Sequence, residues 1–439
     1  MGFLNNIFNH KKGKKVFVLG LDGVPFTFMD RIIKEGKMPV FKSLLDKGEF
    51  KRMNSVLPTI SSVAWSSFMT GKDAAGHNIY GFVDREANPF KLFIPTSRKM
   101  KASTIWHELS EMGKRSIVMN VPVTYPPDKI NGIIVSGFLA TNINKAAYPQ
   151  EIVEELKALD YIIDADTWIA RDSKDKFMDE LYHVLERRFK TMFKFIKEKE
   201  WDYFQCHIME TDRINHFYWT DMEEKNEYAE LFYKFYQKID EYIKQLLEIL
   251  DDEIELIILS DHGFCSINKE VEVNKWLEDR GYLKYRVEAP ESVADMAGES
   301  KAYSLLPGRI FINRSGREEL GTVDAREYFD LREEIKEGFL VLKDEDSGQK
   351  IIKDVFFREE LYNGPYLEQA ADIIIVPEEG YDLKGGVGRE NLMEKRFIQG
   401  MHTYDDAFIY MKKIGEEDSL KEIEEIKDVK KIIIDKFRG

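Results

Sequence analysis

Short apolar runs alternate with longer amphipathic segments along most of this chain. The runs that predict buried strands are residues 15–21, 115–121, 132–138, 202–209, 254–260 and 372–377. Residues 174–200 and 226–250 instead carry large apolar side chains at helical spacing, which predicts long helices with one core-facing side. Because connecting helices allow successive strands to pair in parallel, the pattern predicts an α/β fold with a doubly wound, mostly parallel sheet.

The texture of the sequence changes between residues 266 and 370, where polar, irregular segments replace the alternation. The clearest element within this stretch is a helical pattern at 325–342. We therefore expect residues 266–370 to form an inserted cap region, and 15–265 together with 371–439 to form the main α/β domain. The charged stretch at 416–437 has apolar residues at helical spacing, which favours a packed terminal helix over a disordered tail.

The composition excludes several classes of protein. The 439 residues are 43% hydrophobic, enough for a sizeable core, and the formal net charge is −15. So acidic a chain argues against general nucleic-acid binding, which needs a basic surface. No apolar run approaches the roughly 20 residues that span a bilayer. The two cysteines, Cys206 and Cys265, fit neither a disulfide framework nor a zinc motif, so we expect a cytoplasmic protein.

The first residues, 1–14, lack the apolar core and the cleavage site of a signal peptide. Phe3, Leu4, Ile7 and Phe8, followed by lysines, could contact an anionic membrane surface. A frayed N-terminal tail is the simpler interpretation.

Acidic residues and histidines collect where the predicted strands end. In a doubly wound sheet, ligands bind beyond the carboxyl ends of the strands. Three aspartates and three histidines lie at such ends or in the loops that follow: Asp22, Asp212, His216, Asp261, His262 and His402. The chain has only eight histidines, so this concentration indicates a shared function.

Each member of this group also has an ordinary structural interpretation. The Asp22–Gly23 pair is typical of a turn. Asp212 and His216 would share one face of a helical turn, where they could bind one metal ion or form a simple salt bridge. The adjacent residues Asp261 and His262 can converge only if the strand has ended before them, and Gly263 provides that break.

A segment rich in hydroxyl groups, residues 55–82, raises a second question. Its sequence, SVLPTISSVAWSSFMTGKDAAGHNIYGF, places serines and threonines at the start of an apolar helix. Such residues commonly cap helices, because a hydroxyl oxygen accepts a hydrogen bond from a free backbone N–H. One of them could instead be a nucleophile, and the segment by itself does not decide between the two.

The motifs together resemble the alkaline phosphatase superfamily, most closely its type I phosphodiesterase/nucleotide pyrophosphatase branch. The segments that carry the resemblance occur in the family's order, from the first predicted strand to His402: LGLDGVP, PTISSVAWSSFMTG, GHNIYGF, ETDRINH, SDHGF and GMH. The resemblance implies a metal-dependent hydrolase that acts on phosphoric ester bonds, with an alkaline phosphatase-like fold.

The resemblance also implies two divalent metal ions. One would be held by Asp212, His216 and His402. The other would be held by Asp22, Asp261 and His262, with the oxygen of the nucleophile completing the set. Mixed aspartate and histidine ligands suit zinc, with manganese or another divalent ion as the alternative.

Within the hydroxyl-rich segment, the position that matches the family's nucleophile is Ser61, counted back from Thr70–Gly71. Ser62 is the alternative if the register differs by one residue; otherwise Ser62 and Thr59 would be cap and turn residues. Many nucleotide pyrophosphatases have asparagine where this chain has Ala64, which leaves the nucleotide specificity open.

The sequence therefore predicts a two-metal phosphoesterase that forms a covalent intermediate on Ser61 and acts on a small-molecule phosphate ester. One alternative is a phosphomutase of the same superfamily, in which the phosphoryl group returns to another hydroxyl of the substrate. The other is a non-catalytic protein that is stabilised by metal ions and binds a phosphorylated ligand.

Overall fold

A computed structural model describes residues 14–413 and 419–438 of the chain. The strands within these residues are, in chain order, β1 Val16–Leu21, β2 Gly48–Met53, β3 Asp84–Ala87, β4 Phe90–Phe93, β5 Ser116–Met119, β6 Gly132–Val135, β7 Ala147–Tyr148, β8 Tyr203–Ile208, β9 Glu255–Leu259, β10 Gly263–Ser266, β11 Lys269–Glu272, β12 Ala302–Leu305, β13 Arg309–Ile312, β14 Ile352–Phe357, β15 Ile373–Pro377, β16 Tyr381–Lys384, β17 Met393–Glu394, β18 Gly400–Thr403 and β19 Ala407–Lys412.

The α-helices of the same residues are α1 Phe26–Lys34, α2 Pro39–Leu44, α3 Ser61–Thr70, α4 Ala74–His77, α5 Ile105–Glu111, α6 Ile152–Ala158, α7 Ile169–Asp172, α8 Lys174–Glu198, α9 Glu210–Glu224, α10 Ala229–Ile249, α11 Val273–Asp279, α12 Glu327–Leu340, α13 Arg358–Leu361 and α14 Val429–Arg438. The long helices predicted at 174–200 and 226–250 are α8 and α10. Their apolar stripes face the core, as the spacing predicts.

The main sheet has eight strands in the order β2-β19-β9-β1-β8-β5-β6-β7. The five inner strands, from β9 to β6, pair in parallel. Strand β19 is antiparallel to both β9 and β2, and β7 is antiparallel to β6. The prediction of an α/β fold with a mostly parallel sheet is therefore confirmed.

Helices cover both faces of this sheet, because successive side chains of a strand point to opposite faces. In the central strand β1, Phe17, Leu19 and Leu21 enter one apolar core, which includes α8, α9 and α10. Val16 and Val18 enter a second core, which includes α3, α5 and α14. Both faces of β1 are thus buried, as its continuous apolar sequence predicts.

The segment of the chain between β10 and β18 forms two further sheets, and we call its residues 269–394 the second-sheet region. It contains an antiparallel sheet with the order β12-β13-β15-β14 and a smaller one with the order β16-β11-β17. Helices α11 and α12 pack on these strands around a separate apolar core. In this core the rings of Trp276 and Phe339 stack with centroids 3.9 Å apart.

The predicted C-terminal limit of the inserted region differs from the structure. The apolar run at 372–377 does form a strand, but this strand, β15, pairs with β13 and β14 and not with the main sheet. Strands β16 and β17 then pair with β11, so the chain returns to the main sheet only at β19. A short apolar run predicts burial in a sheet but carries no information about which sheet it joins.

The C-terminal segment packs on the second core, although its helix is shorter than the sequence pattern predicts. Helix α14 begins at Val429 and is preceded by short 3₁₀ turns. Ile433 and Ile434 of this helix are buried. Residues 1–13 of the predicted N-terminal tail and residues 414–418 lie outside the described residues. None of the helices in the described ranges is both long enough and apolar enough to cross a bilayer.

The burial of α14 gives a test of this packing. We expect Ile433→Ala to lower the free energy of unfolding by about 2–5 kcal/mol, because it removes a fully buried side chain and leaves a cavity. The control is Lys431→Ala, two residues earlier, whose exposed ion pair with Glu422 is screened by solvent and should contribute much less to stability. Urea unfolding of both variants measures the difference, and equal effects would contradict the burial of α14.

Candidate active site

Three adjacent strands of the main sheet, β9, β1 and β8, end at the same edge and deliver most of the predicted site residues. Asp22 follows β1 directly, and Asp261 and His262 follow β9. All three side chains are fully buried. Since the strands are parallel neighbours, residues far apart in the sequence meet at one place, as the pattern predicts.

Helix α9 begins two residues after β8 and carries the next pair. Asp212 and His216 are separated by one helical turn and lie on the same face, so their side chains meet. The distance from Asp212 Oδ1 to His216 Nε2 is 3.4 Å. The pairing expected from the spacing is present.

His402 reaches this group from β18, which pairs antiparallel with β10 and places His402 opposite Phe264. Its Nε2 lies 3.2 Å from Asp212 Oδ1 and 3.1 Å from His216 Nε2. Its ring stacks on the ring of His262 with centroids 3.7 Å apart. The expectation that His402 lies at a strand end or in a loop is wrong, because the residue lies inside the short strand β18. This strand pairs with β10, although the whole second-sheet region separates the two in the sequence.

Ser61 is the first residue of helix α3 and faces the same group. Its hydroxyl donates to Asp22 Oδ1 at 3.1 Å, and its Oγ lies 3.3 Å from His262 Nε2. Within the described chain, no side chain caps the N-terminus of this helix. The free N–H groups and the positive end of the helix dipole therefore lie beside the Ser61 oxygen, where they favour negative charge.

The other hydroxyls of the segment have structural roles or none. Thr59 donates to the carbonyl oxygen of Val56, as expected of a turn residue. Ser66 and Thr70 donate to carbonyl oxygens one turn earlier in α3. The expectation that Ser62 caps the helix is wrong, because its buried Oγ has no hydrogen-bond partner among the described residues.

His77, the histidine of the GHN motif, lies outside the group. Its Nδ1 accepts from the backbone N–H of Ile79, and its Nε2–H donates to Ser67 Oγ at 3.0 Å. Burial lowers the pKa of His77 to about 3, so the ring is neutral. Its role in this position is to hold α4 against α3.

The Asp22 carboxylate has one oxygen anchored and one directed into the site. Its Oδ2 accepts from Nε1 of Trp65 at 2.9 Å and from Nε2 of His207 at 2.7 Å. Its Oδ1 faces Ser61 and lies 3.5 Å from His262 Nε2. The carboxylate is therefore fixed in orientation.

The other two aspartates follow the same arrangement. Asp212 Oδ2 pairs with Nη1 of Arg213 at 3.1 Å, which leaves Oδ1 for the two histidines. Asp261 Oδ1 accepts from the backbone N–H of Gly23 at 3.0 Å. Its Oδ2 is buried without a hydrogen-bond partner in the described residues and lies 3.5 Å from His262 Nε2.

The three histidines are oriented in a matching way, because each uses its Nδ1 to hydrogen-bond a backbone carbonyl oxygen. A carbonyl can only accept, so Nδ1 carries a proton in each ring, and Nε2 is directed into the site. The pairs are His216 with Gly400 at 2.8 Å, His262 with Gly263 at 3.0 Å and His402 with Thr59 at 3.2 Å.

The charges in this buried space perturb one another strongly. Although burial opposes ionisation, His207 and His262 hold the pKa of Asp22 well below its usual range. Burial and the charge of Asp22 raise the pKa of Asp261 well above its usual range. Burial would lower the pKa of His262, but Asp261 and Asp22 raise it to about 10. Protons and metal ions therefore compete for these groups, because a ligand binds a metal ion in its deprotonated form.

The donor atoms form two overlapping groups of a size that suits metal ions. The donor atoms of Asp212, His216 and His402 lie within 4.8 Å of one another, and so do those of Asp22, Asp212 and His262. The first group is the one expected from the sequence. The second group contains Asp212, where the expected set has Asp261. The Oδ2 of Asp261 has no hydrogen-bond partner among the described residues and lies 3.5 Å from His262 Nε2.

These residues fit divalent cations. The Oδ2 of Asp261 is buried and, in the described part of the chain, lacks the protein partner that a buried polar atom normally has. Nitrogen and carboxylate donors in this mixture are typical of zinc sites. The carbonyl and N–H groups behind them are the outer contacts that orient metal ligands.

Sequence reasoning missed the residues that orient the aspartates: Trp65, His207 and Arg213. A signal exists for two of them. His207 interrupts the apolar run of β8, where a polar residue needs a buried partner. Trp65 lies one helical turn after Ser61 and therefore shares its face of α3.

A cleft of about 970 Å³ opens from this group between the main sheet and the second-sheet region. His216 and His402 of the site are among its lining residues. Leu306 and Phe356 of the second-sheet region and Phe82 add apolar surface to its lining. The site is thus reached through a space much larger than a phosphate group.

Comparisons with known proteins place the chain in a family and identify structures with the same fold. The family described as type I phosphodiesterase/nucleotide pyrophosphatase matches residues 16–405. No curated protein matches the chain significantly in sequence.

Among solved structures, phosphonoacetate hydrolase from Sinorhizobium meliloti 1021, in complex with phosphonoacetate, is similar with a TM-score of 0.68 and 16% identity, over 97% of this chain and 96% of that chain. Murine ectonucleotide pyrophosphatase/phosphodiesterase 5 is similar with a TM-score of 0.58 and 15% identity, over 97% and 95% of the two chains. Both are similar to this chain in fold.

The geometry places His402 in a group of metal-donor atoms and leaves the nearby His77 outside it. We expect His402→Ala to lower the bound divalent metal by about one ion per chain, because it removes one of three donors from the first group. His77→Ala, a buried control, should lower stability through the lost contact with Ser67 and leave the metal content unchanged. Elemental analysis of both purified variants measures this, and equal metal content in the two would contradict the assignment.

Proposed function

Because the chain belongs to the type I phosphodiesterase/nucleotide pyrophosphatase family, whose members are metal-dependent hydrolases of phosphoric ester bonds, we propose that it is a two-metal phosphoesterase with Ser61 as its nucleophile. The observation that carries this proposal is the position of Ser61 Oγ. It lies within 3.3 Å of Asp22 Oδ1 and His262 Nε2 and at the uncapped N-terminus of α3.

The six metal-binding candidates divide into two sets in this proposal. One set is Asp212, His216 and His402, and the other is Asp22, Asp261 and His262, with Asp212 close to both. Two divalent ions, of which zinc suits the donors best, would neutralise charge on the phosphoryl group and polarise its oxygens. The chain's part is to orient the donors and to exclude bulk water around them.

Ser61 supplies the nucleophile. Its hydroxyl donates to Asp22 Oδ1, which fixes the direction of the oxygen lone pairs. The N-terminus of α3 stabilises negative charge on the serine oxygen and on the phosphoryl group that it attacks. The bond from Oγ to phosphorus forms as the bond to the leaving oxygen breaks on the opposite side; the hydroxyl proton leaves along its hydrogen bond to Asp22 Oδ1, and the leaving oxygen takes up a proton from water. Water then hydrolyses the phosphoserine and regenerates Ser61.

The cleft supplies room for the esterified group of a small-molecule substrate. Its volume of about 970 Å³ and its apolar walls at Phe82, Leu306 and Phe356 suit a leaving group larger than a simple alcohol. The structural neighbours have been solved with phosphonoacetate and with AMP, and both ligands carry a phosphorus oxyanion. That similarity supports a phosphoryl group at the site without indicating which ester is the substrate.

A cytoplasmic location is part of the same proposal. Cys206 and Cys265 are both free thiols in the described chain. Free thiols are typical of a reducing compartment.

Metal removal tests the cofactor part of the proposal. We expect dialysis against a chelator to abolish hydrolysis and to lower the melting temperature together, because three buried carboxylates then face one another without cations. Restoring zinc or manganese should recover both properties. Full activity and an unchanged melting temperature after metal removal would refute the two-metal site.

Substitution of the serine tests the nucleophile. Ser61→Ala should lower kcat by at least about 10³-fold, because an unpositioned water must replace an oriented hydroxyl. Ser61→Thr should keep measurable activity, since the hydroxyl remains. The matched control is Ser62→Ala, which should be nearly silent because its hydroxyl has no partner in the described structure. Murine ectonucleotide pyrophosphatase/phosphodiesterase 5 has been solved as an inactive variant with alanine in place of a threonine.

Mass spectrometry of acid-quenched enzyme should show phosphate on the peptide that contains residues 53–72. If Ser62→Ala is inactive and Ser61→Ala active, the register of the nucleophile is off by one. If both variants remain active, the reaction does not pass through a serine, and the covalent mechanism is wrong.

A further inference from the structure

One buried histidine of the site region has no place in the proposed chemistry. His207 lies in the central strand β8, is fully buried, and has Nδ1 without a partner in the described part of the chain. A half-satisfied imidazole in a strand core is costly, so a specific contact has to compensate for it. The contact present is the hydrogen bond from Nε2 to Asp22 Oδ2, at 2.7 Å.

Trp65 reinforces this contact from the opposite side. Its Nε1–H donates to the same oxygen of Asp22 at 2.9 Å. Its indole packs edge-to-face against the imidazole of His207, with centroids 4.7 Å apart and an angle of 80° between the rings. Helix α3 therefore carries both the Ser61 hydroxyl and a donor that holds the carboxylate contacted by this hydroxyl.

The space for this indole exists because residue 20 is glycine. Gly20 is the direct neighbour of His207 in the pairing of β1 with β8. A Cβ atom at this position would lie 2.5 Å from Cη2 of Trp65, which is closer than real contacts allow. The sequence of β1 thus leaves a gap in the sheet face at the place where the ring of Trp65 lies.

We propose that His207 and Trp65 are positioning residues that hold Asp22 Oδ2, so that Oδ1 alone is presented to Ser61 and to the metal ion of the Asp22 group. A carboxylate without these donors could rotate and offer both oxygens, or turn away from Ser61. Two donors on one oxygen, in two elements that meet at Gly20, remove this freedom. The inference rests on the proposed function, because it assigns the orientation of one of the proposed ligands.

The test measures the affinity for each of the two metal ions. If His207 and Trp65 only stabilised the fold, their loss would not weaken the binding of one ion and leave the other unchanged. In His207→Phe and Trp65→Phe, an aromatic ring remains at the position and the N–H donor is lost. We expect each variant to bind one of the two zinc ions about 10–100-fold more weakly and the other normally, and to lower kcat more than it changes KM. His207→Gln, which can place an amide N–H near the same oxygen, should recover part of the lost affinity.

The matched control is Gln205→Leu, which removes another buried polar side chain of β8 that does not contact Asp22. It should leave both zinc affinities unchanged, whatever its effect on stability. Competitive zinc titration with a chromophoric chelator measures the affinities, and circular dichroism of the metal-free proteins confirms that each variant is folded. If His207→Phe does not fold, Trp65→Phe alone decides the question.

The outcomes separate this inference from the proposed function. If wild-type protein binds two ions and the two phenylalanine variants bind both with wild-type affinity, the positioning role is refuted and the two-metal site stands. If both affinities fall equally in the variants and in Gln205→Leu, the effect is general destabilisation, and the positioning role is again refuted. If the wild-type protein binds no divalent ion, the proposed function itself fails.

Discussion

The mutual repulsion of three buried carboxylates is the constraint on which the rest of this site depends. Asp22, Asp212 and Asp261 are all buried, and each lies within 3.5 Å of a histidine of the site. Each has one oxygen held by an N–H donor, from Trp65 and His207, from Arg213, or from the backbone of Gly23. The remaining oxygens and the three inward imidazole nitrogens lie in two overlapping groups of donor atoms, where bound cations would offset the repulsion.

The fold supplies that arrangement through the order of its strands. Because β9, β1 and β8 are neighbours, three segments from distant parts of the chain end side by side. Helix α3 approaches the same edge with its N-terminus, so the Ser61 hydroxyl lies beside the Asp22 carboxylate. Apolar burial on both faces of β1 fixes these elements relative to one another.

Much of this could be predicted from the sequence, for reasons specific to the residues. The parallel sheet follows from the alternation of apolar runs and helices, and the convergence of Asp22, Asp212 and Asp261 follows from their positions after strands. The sheet joined by β15 and the strand that carries His402 could not be predicted, because pairing partners are set by contacts distant in sequence. The roles of Trp65 and His207 depend on side-chain directions, which local spacing only partly determines.

The pairing of β10 with β18 has a consequence for how such a protein can diverge. His262 immediately precedes one strand, and His402 lies in the other, while the whole second-sheet region forms the connection between them. Backbone hydrogen bonds hold these strands in register whatever the connection contains. A lineage can therefore lengthen, shorten or replace the second-sheet region, and with it a wall of the cleft, while both histidines stay in place. The wall of the cleft and the two histidines of the site thus lie on separable parts of one chain.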